Sequence, residues 1–245
     1  MKKFLVVVAV AMLVAFAAAT AMAGTGVIGS KHDLATGSDY AGGTLSACQY
    51  CHTPHHAVTT TIGTEAAAPL WNRTMWTTAN ASDGVATYSL YDSGGGGVGA
   101  EITLSGTAVG QPGLHSRTCL SCHDGLTAVN GVVNGAALSA TVTGAALTGG
   151  VLTSATTTIG TDLTDDHPVG IVYNSAAVGS KAGLDLVSFT ASASHANGWM
   201  IYGGFDAVGT VECGSCHDPH TRAAGQSPFL KGALLTICTD CHSNK

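Results

Sequence analysis

The sequence predicts a fold of mostly irregular coil with short helices and minor β structure, in which bound groups rather than side chains fill much of the interior. Three observations predict it. Glycine appears 33 times in 245 residues, and long stretches of Gly, Ala, Thr and Ser carry no sustained helical period. Only 10% of positions are charged and 6% aromatic, where an ordinary soluble domain carries about 25% charged residues. All 8 cysteines fall in copies of one pentapeptide, C-x-x-C-H.

The charge pattern excludes several classes. With a net charge of −6 and no cluster of Lys and Arg, nothing is suited to meeting phosphates, so nucleic acid is not an expected partner. Blocks of like charge are absent, which excludes a polyelectrolyte tail. A free monomer is expected to expose roughly a quarter to a third charged residues, so the shortage itself suggests a surface meant to be covered.

At the amino terminus Lys2 and Lys3 precede an apolar run from Phe4 to Ala19, and Ala21-Met22-Ala23 places small residues where a signal peptidase reads them. Residues 1–23 are expected to be a secretory signal, cleaved after Ala23, with a membrane anchor as the competing reading. Residues 24–245 are then expected to form one exported, soluble domain without a membrane span.

The four pentapeptides are Cys48 to His52, Cys119 to His123, Cys213 to His217 and Cys238 to His242, called motifs 1 to 4 below. C-x-x-C-H is the attachment signature of c-type haem: each thiol adds to a vinyl group, and the adjacent His binds iron from one face. Three other readings compete. Disulfides inside C-x-x-C would be redox-active rather than structural and would leave the His without a role. Two Cys₄ zinc sites would leave four His idle, and a thioredoxin-like site needs one motif, not four. The expected cofactors are therefore four covalent haem c groups, with Cys48, Cys51, Cys119, Cys122, Cys213, Cys216, Cys238 and Cys241 as attachment points. His52, His123, His217 and His242 are the proximal iron ligands.

Of the 11 histidines, those outside the motifs are His32, His55, His56, His115, His167, His195 and His220. Beyond the signal only Met75 and Met200 offer a thioether, so His is expected as the sixth ligand at two haems or more, which favours low reduction potentials. His55 and His220 each lie three residues beyond a proximal His, in C-H-T-P-H and C-H-D-P-H. Three residues span at most about 10–11 Å, too little to round a haem edge, so each must serve a different haem from its neighbour. His56 is an alternative to His55. His167, in Asp165-Asp166-His167-Pro168, and His32, near the mature terminus, are favoured as ligands. His115 and His195 are read as non-ligands.

Short helices are expected around the motifs and in the last thirty residues. Segment 126–161 alternates Thr with apolar residues like a strand or hairpin and carries no candidate ligand, so a surface elaboration is expected. Ala68-Pro69-Leu70-Trp71-Asn72-Arg73 is a candidate wrap, with Trp71 against a haem or simply packed, and Arg73 near a propionate.

The motifs, together with His32-Asp33-Leu34, residues 68–73, Asp166-His167-Pro168-Val169-Gly170 and the Asp-Pro-His after motif 3, resemble the doubled-CxxCH multihaem cytochromes. In count, order and short tail they are similar to the OmcE-like tetrahaem subunits of extracellular cytochrome nanowires. The resemblance implies four stacked bis-His haems, distal roles for His32, His55, His167 and His220, and a homopolymer. It also implies that His55 crosses to the haem of motif 4 in a neighbouring subunit. The tandem His55-His56 and the extra His115 and His195 depart from that pattern.

The function expected is electron transfer rather than enzymatic turnover, along an extracellular filament towards extracellular acceptors or partner proteins. A monomeric periplasmic carrier is the alternative. A multihaem reductase would need an open iron position and nearby groups for proton delivery.

Overall fold

The protein is seen in a computed structural model, which describes residues 26–36, 40–41, 45–58, 61–62, 65–66, 70–73, 88–90, 111–135, 142–144, 146–167, 169–174, 201–202, 208–220, 229–232 and 237–241. The signal segment, Ala68, Pro69, Met75, Pro168, His195, Met200 and His242 lie outside the described residues, as does the side chain of Cys241.

Among the described residues eight short strands form four separate antiparallel pairs. β1 (Tyr40–Ala41) pairs with β4 (Thr143–Gly144), β2 (Thr61–Ile62) with β3 (Glu65–Ala66), β5 (Leu147–Thr148) with β6 (Val151–Leu152), and β7 (Ile171–Asn174) with β8 (Val208–Val211). The longest ladder sets Ile171 opposite Val211 and Asn174 opposite Val208. β5 and β6 are joined by Gly149-Gly150, with φ of +60° and +85°. Two successive positive φ values are what a tight hairpin turn demands, and glycine meets them without steric cost.

Three helical segments are described: α1 (Leu114–His123), α2 (Cys213–Cys216) and α3 (Ile237–Cys241). α1 starts after Pro112 and Gly113. It stops where Asp124 donates its N–H to Leu120 O at 2.9 Å and Gly125 turns left-handed at φ +71°, the usual way a helix is ended by glycine. A Cβ at Gly125 would also strike the Thr158 side chain.

Among the described residues apolar burial is divided among three small clusters. The first joins Tyr88, Leu90, Leu120, Leu163, Ile171, Tyr173 and Val211; the second joins Leu34, Leu45, Tyr50, Val129, Val132, Val142 and Leu152. The third is Trp71 with Leu114, flanked by Cys51 and Val58. α1 reaches all three, through Leu120, Cys122 and Leu114 respectively.

Segment 126–161 is not the surface elaboration expected of it. Val129, Val132, Val142 and Leu152 are buried in the second cluster, and Val129 N donates to Gly150 O at 2.8 Å. The glycine turns fold a thin ribbon back on itself, so sparse apolar residues suffice to face Leu34, Leu45 and Tyr50. Among the described residues no helix is long and apolar enough to cross a membrane.

Candidate haem-binding site

Motifs 1 to 3, and the cysteines of motif 4, lie on helical turns. Motif 1 closes with His52 N donating to Cys48 O at 2.8 Å, and motif 3 with His217 N donating to Cys213 O at 3.0 Å. Motif 2 forms the end of α1, and the cysteines of motif 4 lie on α3. On such a turn positions i, i+3 and i+4 share one face, so two thiols and one imidazole converge on the same side, as attachment at two vinyl groups and one iron face requires. The seven cysteines whose side chains are described are free thiols, with no disulfide among them. Burial pushes Cys51 up to about 12 and raises Cys122. The protonated thiol is the less reactive form in disulfide exchange.

The motifs touch through their cysteines. Cys119, whose thiol donates to His115 O at 3.7 Å, lies close enough to Cys213 that each shifts the other, the first thiol held up and the second drawn down. Cys51 and Cys122 lie close enough that a charge on Cys122 raises Cys51. Motifs 1, 2 and 3 thus meet in sequence order.

Glu212, buried immediately before motif 3, fastens the last two of these helices together. Its carboxylate accepts from Gly113 N at 3.2 Å and from Ser116 Oγ, while Cys213 N donates to Ser116 Oγ at 2.9 Å. Tyr202 lies over Gly214, where any Cβ would collide with its hydroxyl. His115, read as a non-ligand, has its ring 3.9 Å from that of Tyr202.

Two candidate ligands stand opposite motif histidines. The rings of His32 and His123 are 6.1 Å apart at 72°, and those of His52 and His220 are 6.0 Å apart at 23°. Two axial imidazoles on one metal, each with a bond of about 2 Å from metal to nitrogen, have ring centroids about 6 Å apart. His123 Nδ1 donates to Thr157 O at 2.6 Å, which fixes the proton on Nδ1 and leaves Nε2 with its lone pair. His32 Nδ1 is buried without a hydrogen-bond partner. Burial first, then the neighbouring His123, His220 and His217, push the His32 imidazole down to about 4 against a hydrogen bond with the Pro219 backbone that raises it, so it is neutral and able to ligate at neutral pH. A ring nitrogen without a partner on His32 and a tautomer-locked imidazole 6.1 Å away, centroid to centroid, fit a metal held by the two rings.

His55, His56 and His167 are exposed. The turn bearing His55 and His56 is held by Asn134 Nδ2, which donates to the His55 carbonyl at 2.7 Å.

Of the supports of these histidines, Phe229 was not singled out from sequence, and the wrap residues Trp71 to Arg73 were, without these contacts. Phe229, left-handed at φ +62°, stacks on His32 at 4.3 Å and 14°. Trp71 meets the His52 ring edge-on at 5.6 Å. Asn72 donates to Gln49 O at 2.6 Å and to Asn134 O at 3.0 Å. Arg73 does not stand ready for a propionate: it is fully buried and donates to Ser121 Oγ, Ser121 O, Val129 O and Ala128 O. The wrap is a spacer between motifs 1 and 2, and those four neutral acceptors account for the correction.

A further support had a sequence signal. His-Asp-x-x-Thr occurs at 32–36, 123–127 and 217–221, and the first two copies carry the two partners of the 6.1 Å pair. Asp124 accepts from Leu126 N, Thr127 N and Thr127 Oγ1 at 2.7–2.9 Å. Asp33 likewise accepts from Gly29 N, Ala35 N, Thr36 N and Thr36 Oγ1. Burial works to raise the Asp33 carboxyl, but these bonds outweigh it and hold the group below its usual value of 3.8. The stabilisation from Asp33 is therefore complete above that value and is lost as pH falls through the lower folded one. Asp33→Asn is expected to lower the thermal midpoint by about 2–4 °C at neutral pH, a difference that shrinks on titration with acid below pH about 4.

Residues 206–245, which include motifs 3 and 4, match the family model of the doubled CXXCH motif. This match indicates covalent haem c binding and supports a multihaem c-type cytochrome with an electron-transfer role. A search of the curated proteins found no match.

Proposed function

We propose that the chain carries four bis-His haem c groups and conducts electrons as the repeating subunit of a secreted, extracellular filament, ending at extracellular acceptors. The observation that carries the haem reading is the pair of facing imidazoles at about 6 Å, each joining a motif histidine to one from outside that motif. His32 then ligates the iron of motif 2 opposite His123, and His220 that of motif 1 opposite His52. His167 serves motif 3 opposite His217. His55, on its exposed turn, crosses to the motif 4 haem of the next subunit, opposite His242.

Haem supplies a one-electron Fe(III)/Fe(II) couple, and the chain positions it. The Cys51/Cys122 and Cys119/Cys213 contacts favour passage from motif 1 to 2 to 3, and saturation of each iron by two imidazoles suits transfer rather than catalysis.

His55→Ala tests the filament. Fibres seen by electron microscopy of the secreted protein are expected to disappear, with covalent haem by mass spectrometry staying near four. Intact fibres in the variant overturn the crossing ligand, and wild-type protein without fibres favours a periplasmic carrier.

A further inference from the structure

Arg73 is fully buried, and among the described residues no carboxylate pairs with it. Its Nε–H donates to Ser121 Oγ at 3.2 Å, NH1 to Val129 O at 2.6 Å, and NH2 to Ser121 O and Ala128 O at 2.7 Å each. Every one of these acceptors is neutral, so the hydrogen bonds satisfy the donors without cancelling the charge. Ser121 lies inside motif 2, and Arg73 follows Asn72, whose N–H donates to Cys51 O at 2.8 Å. The cation is therefore held against motif 2, one residue from Cys122, and its own residue follows the one bonded to Cys51 of motif 1.

Burying an uncancelled charge is costly, and a clamp on carbonyl groups does not need one. Arginine stays charged at any pH a folded protein meets. A low-dielectric interior lets its field act at close range with little screening.

We infer that Arg73 is a potential-setting residue: its buried guanidinium raises the reduction potentials of the haems held by motifs 1 and 2. The inference rests on the haem reading above. When a ferric bis-His haem takes one electron and becomes ferrous, the site loses one unit of positive charge. A fixed cation beside it disfavours the ferric state and so favours uptake of the electron. No proton is exchanged, and in the experiment below the electron comes from the electrode.

The test uses holoprotein in three variants, with haem located by mass spectrometry of the motif peptides and potentials measured by spectroelectrochemical titration. Arg73→Gln removes the charge. Ser121→Asp keeps the arginine and cancels it with a carboxylate; motif 4 already carries Asp240 at that position. Both are expected to lower the ratio of reduced to oxidised haem, at a fixed electrode potential in the highest-potential step, by about tenfold, or 59 mV for a one-electron couple. Arg73→Lys is expected to keep that ratio within about threefold of wild type while lowering thermal stability, because a point-like ammonium cannot serve all four acceptors.

Fully loaded Arg73→Gln or Ser121→Asp protein that titrates like wild type overturns the inference, as does Arg73→Lys shifting as far as Arg73→Gln. If Arg73→Gln fails to acquire haem, Ser121→Asp decides. Failure of both to load makes Arg73 a structural clamp and also overturns it. Wild-type motif 1 and 2 peptides without haem would overturn the haem reading instead.

Discussion

Replacing Cys119 and Cys122 by serine is expected to remove one haem and unfold most of the protein, whereas the same change at Cys238 and Cys241 removes one haem and leaves the rest folded. The difference follows from what each motif's helix touches. α1 contributes Leu120 to the first buried cluster, Cys122 to the edge of the second and Leu114 to the third. It also receives Arg73 at Ser121 and presents Ser116 to Glu212. A single Leu→Ala cavity costs about 2–5 kcal/mol, and a whole domain is stable by about 5–15 kcal/mol. Loss of a macrocycle attached to the helix that, among the described residues, reaches all three clusters is expected to exceed that margin. In α3, Cys238 is exposed, so its haem supports less of the described core. Pyridine haemochrome assay with circular dichroism and thermal melting checks both variants. A motif 2 variant that melts like wild type would show that the clusters stand without their haem.

His32→Ala and His220→Ala are each expected to convert one haem, and a different one, from six-coordinate low spin to five-coordinate high spin; the double variant converts two. Paramagnetic resonance and the optical spectrum of the ferric protein read this directly. Spectra still wholly low-spin in either variant would refute that pairing. His32 adds a pH dependence of defined sign. Its imidazole falls from 6.5 to about 4 in the folded chain, so between those values the unfolded chain binds the extra proton and stability declines on acidification. The stabilisation is complete above pH about 6.5, and its loss by pH about 4 is on the order of 3 kcal/mol. Iron ligation adds to the preference for the neutral ring. In His32→Ala the decline over this window should flatten.

The attachment chemistry was legible because the C-x-x-C-H spacing is local: five residues on one turn define it whatever the surrounding fold. The helical turns at the motifs follow for the same reason. Partnership of distant histidines is not local, and sequence could only nominate His32 and His220, without saying that they face His123 and His52. The wrap was visible as a unit, but its roles were not. Trp71 finds an imidazole edge, and Arg73 finds carbonyl groups rather than a propionate, because neighbours from segment 126–135 come close. That segment was hidden by its composition: a glycine-rich ribbon reads as surface until its few valines are seen facing Leu45 and Tyr50. The repeated His-Asp-x-x-Thr was open to inspection in the sequence, but its meaning lies in the turns that Asp33 and Asp124 close.

The facing of His52 by His220 bears on the order of manufacture. If the chain is exported as proposed, it would cross a membrane amino terminus first, and motif 1 could receive its haem long before residue 220 arrives. Until then such a haem would be held by His52 without His220, leaving its iron open to a wrong histidine or a small diatomic gas. A haem at motif 2 would meet no such wait, since His32 precedes it. Closure of the longer loop must await nearly the whole polypeptide, and the entropic cost of that closure rises only slowly with loop length. Timing, more than energy, would then be the hazard: maturation would have to shield the first iron while the next 168 residues, from 53 to 220, are delivered.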